Sequence, residues 1–322
     1  MNEFALIRRY FQRDCADPAV LLGVGDDCAL LKLPADEILL VSTDLLVAGR
    51  HFPMDTAPFD IGYKALAVNL SDLAAMGARP LGVTLGLALP KADADWLAGF
   101  AEGFHALAAE FGVCLVGGDT VASPQLTIAV TVLGAGQTGR VLRRDAAKPG
   151  DLIAVTGTLG DAGLGLRAVM TPERIPAALP LDELDFLTAR LNRPSPRLAE
   201  GQRLSMFAHA AIDISDGLVQ DLTHILDASG VGAEIEATLV PLSAAARNWL
   251  QADPTLDTLP LTAGDDYELL FTLDPAHWDQ VDFPATVIGS IRAAPGLVIR
   301  DAAGNPLALS QGGFDHFAGP PA

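Results

Sequence analysis

Apolar runs that end in a carboxylate recur along this chain and limit what it can fold into. Ile38-Leu39-Leu40-Val41 leads into Ser42-Thr43-Asp44, the run at residues 113–116 into Gly117-Gly118-Asp119, and the run ending at Ile212 into Asp213-Ile214-Ser215-Asp216-Gly217. A short apolar run bounded by turn residues reads as a buried strand, so each strand delivers a carboxylate to its end. Helical stretches lie between them. Over residues 59–76 the positions Ile61, Ala65, Leu66, Leu70 and Leu73 recur at helical spacing, opened by Pro58 and stopped by Gly77 and Pro80. That helix sets Asn69 and Asp72 side by side on one face. A second, alanine-rich helix is predicted over residues 93–111, and strands near 83–89, 126–133 and 151–156.

Lys148-Pro149-Gly150 marks a boundary, giving expected domains of residues 1–147 and 148–322. The second half repeats the mixture, with helices near 181–191, 197–204 and 215–227 and strands near 212, 233, 267, 286 and 297. Interspersed strands and helices place the chain in the α/β or mixed α+β class.

Half of the 322 residues are hydrophobic and 19% are charged, enough apolar content to offset the entropy of ordering and to exclude intrinsic disorder. Lys and Arg number 21 against 40 Asp and Glu, a formal net charge of −19. A nucleic-acid backbone or an anionic membrane would be repelled, and neither is expected as a partner. Cys15, Cys28 and Cys114 are odd in number and show no C-x-x-C spacing. That argues against a disulfide framework or a structural zinc site and suits a reducing compartment. The first residues, Met-Asn-Glu-Phe, lack the basic and apolar parts of a secretory leader, and the longest uncharged stretch, 120–139, is broken by Pro, Gln, Ser and Gly. A soluble, cytoplasmic protein is expected.

Familiar phosphate and nucleophile motifs are missing: no Gly-Lys dipeptide for a Walker loop, no His-Arg-Asp, no Asp-Phe-Gly and no G-x-S-x-G. Gly134-Ala135-Gly136-Gln137-Thr138-Gly139 fits G-x-G-x-x-G, but residues 140–150 are a poor dinucleotide-binding helix. What the chain does carry is Asp26, Asp27, Asp44, Asp119, Asp213, Asp216, Asp265 and Asp266 in glycine turns or at strand ends, with Asp72 on a helix. Any one of them can be a turn former or helix cap. Gathered at one site they would repel each other unless a cation neutralised them, and oxygen-only ligands suit a hard ion such as Mg²⁺. The expected site is therefore a Mg²⁺ centre with several ions that binds polyphosphate. Arg143 and Arg144 suit bidentate phosphate recognition or form an exposed basic loop. His51 is a candidate phosphate donor, and Gly160-Asp161-Ala162-Gly163 a candidate phosphate turn or simply a tight one. Gly25 to Leu31 and Gly264 to Leu270 share five of seven positions, an internal echo.

Taken together and in order, Val24-Gly25-Asp26-Asp27, Ser42-Thr43-Asp44 with Gly49-Arg50-His51-Phe52, Asn69-Leu70-Ser71-Asp72-Leu73-Ala74-Ala75-Met76-Gly77-Ala78, Gly117-Gly118-Asp119-Thr120, Asp213-Ile214-Ser215-Asp216-Gly217 and Gly264-Asp265-Asp266-Tyr267-Glu268 resemble the thiamine-monophosphate kinase family. The likeness runs on to Gly313-Phe314-Asp315-His316-Phe317 and covers essentially the whole chain. It implies the two-domain fold of the aminoimidazole ribonucleotide synthetase superfamily, with an N-terminal α/β domain whose sheet pairs across a homodimer and a C-terminal α/β domain. It also implies Mg²⁺-dependent transfer of the γ-phosphate from ATP, the co-substrate, to thiamine monophosphate, the last step in making thiamine diphosphate.

By the same resemblance, Asp27, Ser42, Thr43, Asp44, Asp72, Asp119, Asp213 and Asp216 are the implied Mg²⁺ ligands. Gly118, Asp119, Arg143 and Ser215 are implied nucleotide contacts. His51, Glu268 and Phe317 are implied contacts to thiamine monophosphate, with Phe314 the alternative to Phe317. No residue is implied as a general base. The competing readings are aminoimidazole ribonucleotide synthetase, selenophosphate synthetase, a hydrogenase maturation factor and a catalytically silent nucleotide-binding homologue. The maturation factor uses a C-terminal cysteine, and the last one here is Cys114.

Overall fold

The computed structural model describes residues 3–13, 15–25, 27–309 and 313. The chain divides into two compact units, Met1–Val141 and Leu142–Ala322. The first unit runs through α1 (Glu3–Leu6), a small antiparallel pair β1 (Val20–Leu22) and β2 (Leu30–Leu31), then β3 (Glu37–Val47), α2 (Pro58–Ala75), β4 (Arg79–Leu89), α3 (Ala94–Glu110), β5 (Cys114–Ala122) and β6 (Thr127–Gln137). Its four-stranded sheet has the order β3-β6-β4-β5, with β6 antiparallel to both neighbours and β5 parallel to β4.

One face of this sheet carries the core. Val83, Leu85, Leu87, Ile128, Val130 and Val132 are buried, as are Leu66, Leu70 and Leu73 of α2 and Phe100, Phe104 and Leu107 of α3. The opposite face is open. Along β3 the residues Leu40 and Leu46 are buried, whereas Leu39, Val41 and Leu45 remain 48%, 58% and 55% exposed. The Ile38 to Val41 run, expected to be a buried strand, is thus an edge strand covered on one face only. Nothing among the described residues of the N-terminal unit covers the other.

The strands also outlast their apolar runs. Ser42-Thr43-Asp44 lies in the middle of β3, paired with Val132, Thr131 and Val130, and Asp119 lies within β5 opposite Gly86. The backbone ladder continues past a polar side chain because its hydrogen bonds are made by the main chain. At the G-x-G-x-x-G match, Gly134 to Gln137 belong to β6 and the next α-helix starts only at Asp161, so no dinucleotide-binding helix follows. The cysteines depart from expectation too. Cys15 and Cys114 form a disulfide with their Cα atoms 5.6 Å apart across 99 residues, and Cys28 is the exposed free thiol. Sequence spacing carried no trace of this, since the N-terminal segment meets β5 only in three dimensions.

The second unit contains β7 (Leu152–Thr156), α4 (Asp161–Met170), α5 (Leu181–Asn192), α6 (Leu198–Leu204), β8 (Ala210–Asp213), α7 (Leu218–Ser229), β9 (Gly232–Glu236), α8 (Ala244–Ala252), α9 (Leu259–Thr262), β10 (Leu269–Leu273), β11 (Ala285–Arg292) and β12 (Gly296–Arg300). Its six strands lie in the order β12-β9-β11-β7-β10-β8, all antiparallel except the β12–β9 pair. One core joins Ile153, Val155, Ile212, Leu222, Ile225 and Leu270, and a second gathers α4, α5 and α8 around Trp249. Ala147, assigned to the first domain by the Lys148-Pro149-Gly150 signal, is part of the larger of these cores, and its N–H donates to Ser229 Oγ at 3.1 Å. No helix among the described residues is long and apolar enough to cross a membrane.

Candidate active site

In the N-terminal unit, α2 lies against β3 so that Asn69 and Asp72 meet the polar stretch of that strand. Asn69 is buried; its amide donates to Ala65 O at 2.9 Å, and its Oδ1 accepts the Asp44 N–H at 3.1 Å. One helical turn along, Ser42 Oγ donates to Asp72 Oδ2 at 2.5 Å. Ser42, Asp44 and Asp72 therefore share one corner on the helix-covered face. Burial, reinforced by the Asp72 carboxylate, pushes the Asp44 carboxyl up to about 7.

Thr43 alternates to the open face, where its hydroxyl meets that of Thr131 at 2.8 Å. Asp119 is exposed and accepts the Thr120 N–H at 2.8 Å. It sits on β5, at the edge of the sheet opposite β3, with two strands between. At the usual strand spacing that is about 14 Å, so the fold sets Asp119 apart from Asp44 within one chain. Beside it Gly118 has φ +150, and a Cβ there would lie 2.0 Å from Leu85 O, so only glycine lets β5 approach β4 at this point. His51 follows β3 in a turn, and its Nδ1 accepts the Val47 N–H at 3.0 Å. A neutral ring then carries its proton on Nε2, a donor suited to an anionic oxygen. Asp27 is exposed in the β1–β2 connection, and Asp26 lies outside the described residues.

In the C-terminal unit, Asp213 ends β8 and is 4% exposed, while Ser215 and Asp216 are half-buried in the loop before α7. The Gln220 amide donates to Asp216 Oδ2 at 3.1 Å. Arg143 is exposed and held by Asp145 through two hydrogen bonds, at 2.8 and 2.5 Å, so it is one arm of a local ion pair rather than an open basic loop. Phe317 and its alternative Phe314 lie outside the described residues.

Glu268 departs most from expectation. It is fully buried, accepting from Arg197 Nε and Nη2 at 2.6 and 2.5 Å, Arg190 Nη2 at 2.9 Å and Thr156 Oγ1 at 2.6 Å. A carboxylate enclosed by two guanidinium groups and a hydroxyl binds the unit together and cannot also form the wall of a pocket. The half-buried carboxylate of this segment is Asp265, held at φ +69, with Tyr267 at φ +50 donating from its hydroxyl to Asp265 Oδ1 at 3.2 Å. Two consecutive-but-one side chains in left-handed conformations are backbone strain retained by their surroundings, and such strain collects at functional segments. Between them Asp266 is buried and accepts from the Gly160 and Ala162 N–H groups at 2.6 and 3.2 Å, burial pushing it up to about 7. The Gly160 turn is therefore occupied by a protein carboxylate where an anion was expected. The internal echo thus diverges: Asp27 is exposed, whereas Asp266, at the matching position, is an internal anchor.

Sequence reasoning passed over Asn69 as a ligand to backbone, and Arg190, Arg197, Asp221 and Asp266 as anchors. Only Asp221 left a signal, an acidic residue in the first turn of α7. Of the eight implied metal ligands, six belong to the N-terminal unit and Asp213 and Asp216 to the other. Among the described residues no three His, Cys, Asp or Glu side chains gather as a metal site. The donor chemistry of Ser42, Asp44 and Asp72 nevertheless fits a hard cation: oxygen atoms only, and two carboxyl groups sharing a partly desolvated corner.

A family model for the N-terminal domain of AIR synthase related proteins matches residues 25–136, and one for their C-terminal domain matches residues 148–301. The thiamine-monophosphate kinase of Escherichia coli strain K12 is 45% identical over 329 aligned positions, covering 99% of each chain. A solved structure of the thiamine-monophosphate kinase from Stenotrophomonas maltophilia K279a superposes with a TM-score of 0.82 at 46% identity, covering 88% of this chain and 92% of that one. The structure of AaThiL complexed with AMPPCP and TMP superposes at 0.80 with 30% identity, covering 89% of each. This chain belongs to the AIR synthase related proteins and, within them, to the thiamine-monophosphate kinase family.

Two outcomes follow from these geometries. Replacing Glu268 with Ala would leave Arg190 and Arg197 facing each other without their shared partner, a loss of about 3–5 kcal/mol of stability. Urea unfolding of Glu268→Ala measures it, with KM for the phosphate acceptor unchanged in the folded protein. Asp44 keeps its proton to a higher pH folded than unfolded, so its contribution to stability is complete below about pH 4 and is lost as pH rises through about 7. Without divalent cations, the melting temperature should therefore fall from pH 5 to pH 8, and Asp44→Asn should fall less steeply. Added Mg²⁺ should raise the wild-type melting temperature more at pH 8 than at pH 5.

Proposed function

We propose that this chain transfers the γ-phosphate of ATP to thiamine monophosphate, giving ADP and thiamine diphosphate, with Mg²⁺, in the cytoplasm and as a homodimer. Likeness over 89% of the chain to a protein solved with AMPPCP and TMP bound carries the choice of substrates. The acceptor is a phosphate monoester whose second pKa is about 6, so its attacking oxygen is already ionised at neutral pH and no general base is needed. Opposing the reaction is repulsion between the two phosphate groups, about 4 kcal/mol for each unit-charge pair 4 Å apart at an effective dielectric near 20. Mg²⁺ supplies charge neutralisation and in-line alignment when bound.

In the N-terminal unit Ser42, Asp44 and Asp72 would hold one Mg²⁺ at their shared corner, with Asp27, Thr43 and Asp119 as cation ligands apart from it; in the C-terminal unit Asp213 and Asp216 are the candidate cation ligands. For the nucleotide the N-terminal unit offers Gly118 and Asp119, and the C-terminal unit offers Arg143 and Ser215, with Arg143 exchanging Asp145 for phosphate oxygens. His51 Nε2–H would donate to the thiamine monophosphate phosphate; Phe317, the other implied contact, lies outside the described residues. Asp265 takes the acidic role first expected of Glu268, facing the cationic thiazolium or the aminopyrimidine. A second copy covering the open face of the sheet accounts for the exposed Leu39, Val41 and Leu45.

Purified protein with Mg²⁺, ATP and thiamine monophosphate should form ADP and thiamine diphosphate in equal amounts, and none with EDTA. Asp44→Ala and Asp119→Ala should abolish turnover while remaining folded; wild-type turnover in either would remove it from the metal set. Light scattering should give twice the 33.6 kDa chain mass, and Val41→Lys with Leu45→Lys should halve it. A wild-type monomer at micromolar concentration would exclude the homodimer.

A further inference from the structure

The loop from Asp213 to Gly217 precedes α7 as a phosphate-binding loop would, yet its backbone is committed inward. Three successive N–H groups, of Ser215, Asp216 and Gly217, all donate to Asp221 Oδ2 at 3.1 Å. Asp221 is 2% exposed and sits in the first turn of α7, its own N–H donating to Gly217 O at 3.0 Å. On the other side the segment before β10 takes up the remaining groups. Ile214 N–H donates to Glu268 O at 2.8 Å, while Ile214 O and Ser215 O accept from the N–H groups of Tyr267 and Asp265, each at 2.9 Å. The fit is close: a Cβ on Gly264 would lie 2.2 Å from Ser215 O, and Gly217, at φ +119, lies against Thr262 O.

Consecutive N–H groups at a helix start normally form a concave donor site for an anion. Here a protein carboxylate already fills that place, so what the loop has left to offer outward is the half-buried side chains of Ser215 and Asp216, beside the buried Asp213 that ends β8. We propose that Asp221 is a positioning residue that turns this loop from an anion-binding surface into a cation-binding one. Nucleotide phosphates then meet it through a divalent cation and not through the main chain. This rests on the kinase reading for what the loop binds, but the loop geometry itself is testable without turnover.

Amide hydrogen exchange on the full-length wild-type protein should protect Ser215, Asp216 and Gly217 as strongly as the interior of α7. Exchange at the rate of an open loop would overturn the proposal whatever the kinase assay gives. Asp221→Ala should weaken Mn²⁺ binding, followed by electron paramagnetic resonance in the presence of a non-hydrolysable ATP analogue, by about 10- to 100-fold, as loss of an outer-sphere support does. kcat should fall by a similar factor with KM for thiamine monophosphate unchanged. Asp221→Asn keeps an acceptor oxygen and should recover most of both losses. Wild-type Mn²⁺ affinity in the Ala variant, or equal loss in the Asn and Ala variants, would overturn the positioning role. Should the Ala variant not fold, the exchange pattern and the Asn variant decide the matter. A wild-type chain that binds Mn²⁺ with the analogue and transfers no phosphate would end the kinase reading and leave the loop geometry standing.

Discussion

Taking a carboxylate out of water is costly unless something compensates it, and both units of this chain are organised around acidic groups held in that condition. Glu268 is enclosed by Arg190, Arg197 and Thr156. Asp221 and Asp266 are compensated by backbone N–H groups, three and two respectively, and burial still pushes each up to about 7. Asp44 shares its corner with a second carboxyl group instead, and the same rise to about 7 comes from burial and from that neighbour. The first three arrangements are closed within the protein. The fourth, with two carboxyl groups in one partly desolvated corner, makes Asp44 the starting point of the proposed metal site.

The two kinds of acidic residue alternate closely in sequence. Asp265 is half-buried and Asp266 fully buried; Asp216 faces one way while the N–H groups around it face Asp221. The anchors fix the backbone from which the accessible aspartates project. Asp266 draws the turn before α4 toward the segment preceding β10, and that segment in turn holds Ile214 and Ser215 from the side opposite Asp221. The left-handed backbone at Asp265 and Tyr267 is retained because the groups on either side are fixed.

Much of the fold was legible in the residues. The helix over Pro58–Ala75 follows from its apolar spacing and its proline and glycine ends, and the pairing of Asn69 with Asp72 on one face follows from the helix. The strand lengths were not legible, because β3 and β5 continue through polar residues on main-chain hydrogen bonds alone. Nor was the role of Glu268: a Glu at a strand entrance looks the same in sequence whether it meets solvent or two arginines more than 70 residues away. The Cys15–Cys114 link, 99 residues long, is hidden for the same reason.

Composition, glycine-flanked aspartates and helical spacing determined by themselves that this is a folded, acidic, mixed α/β chain with carboxylates concentrated near glycine turns, because those properties are local. The family was marked separately, by the resemblance of short motifs that occur in a fixed order along the chain. Which carboxylates are enclosed as internal braces and which stay accessible was decided only by tertiary structure. That distinction depends on what stands opposite each group across the sheet or against the helix, and on how much water is left there, neither of which is set by neighbours along the chain.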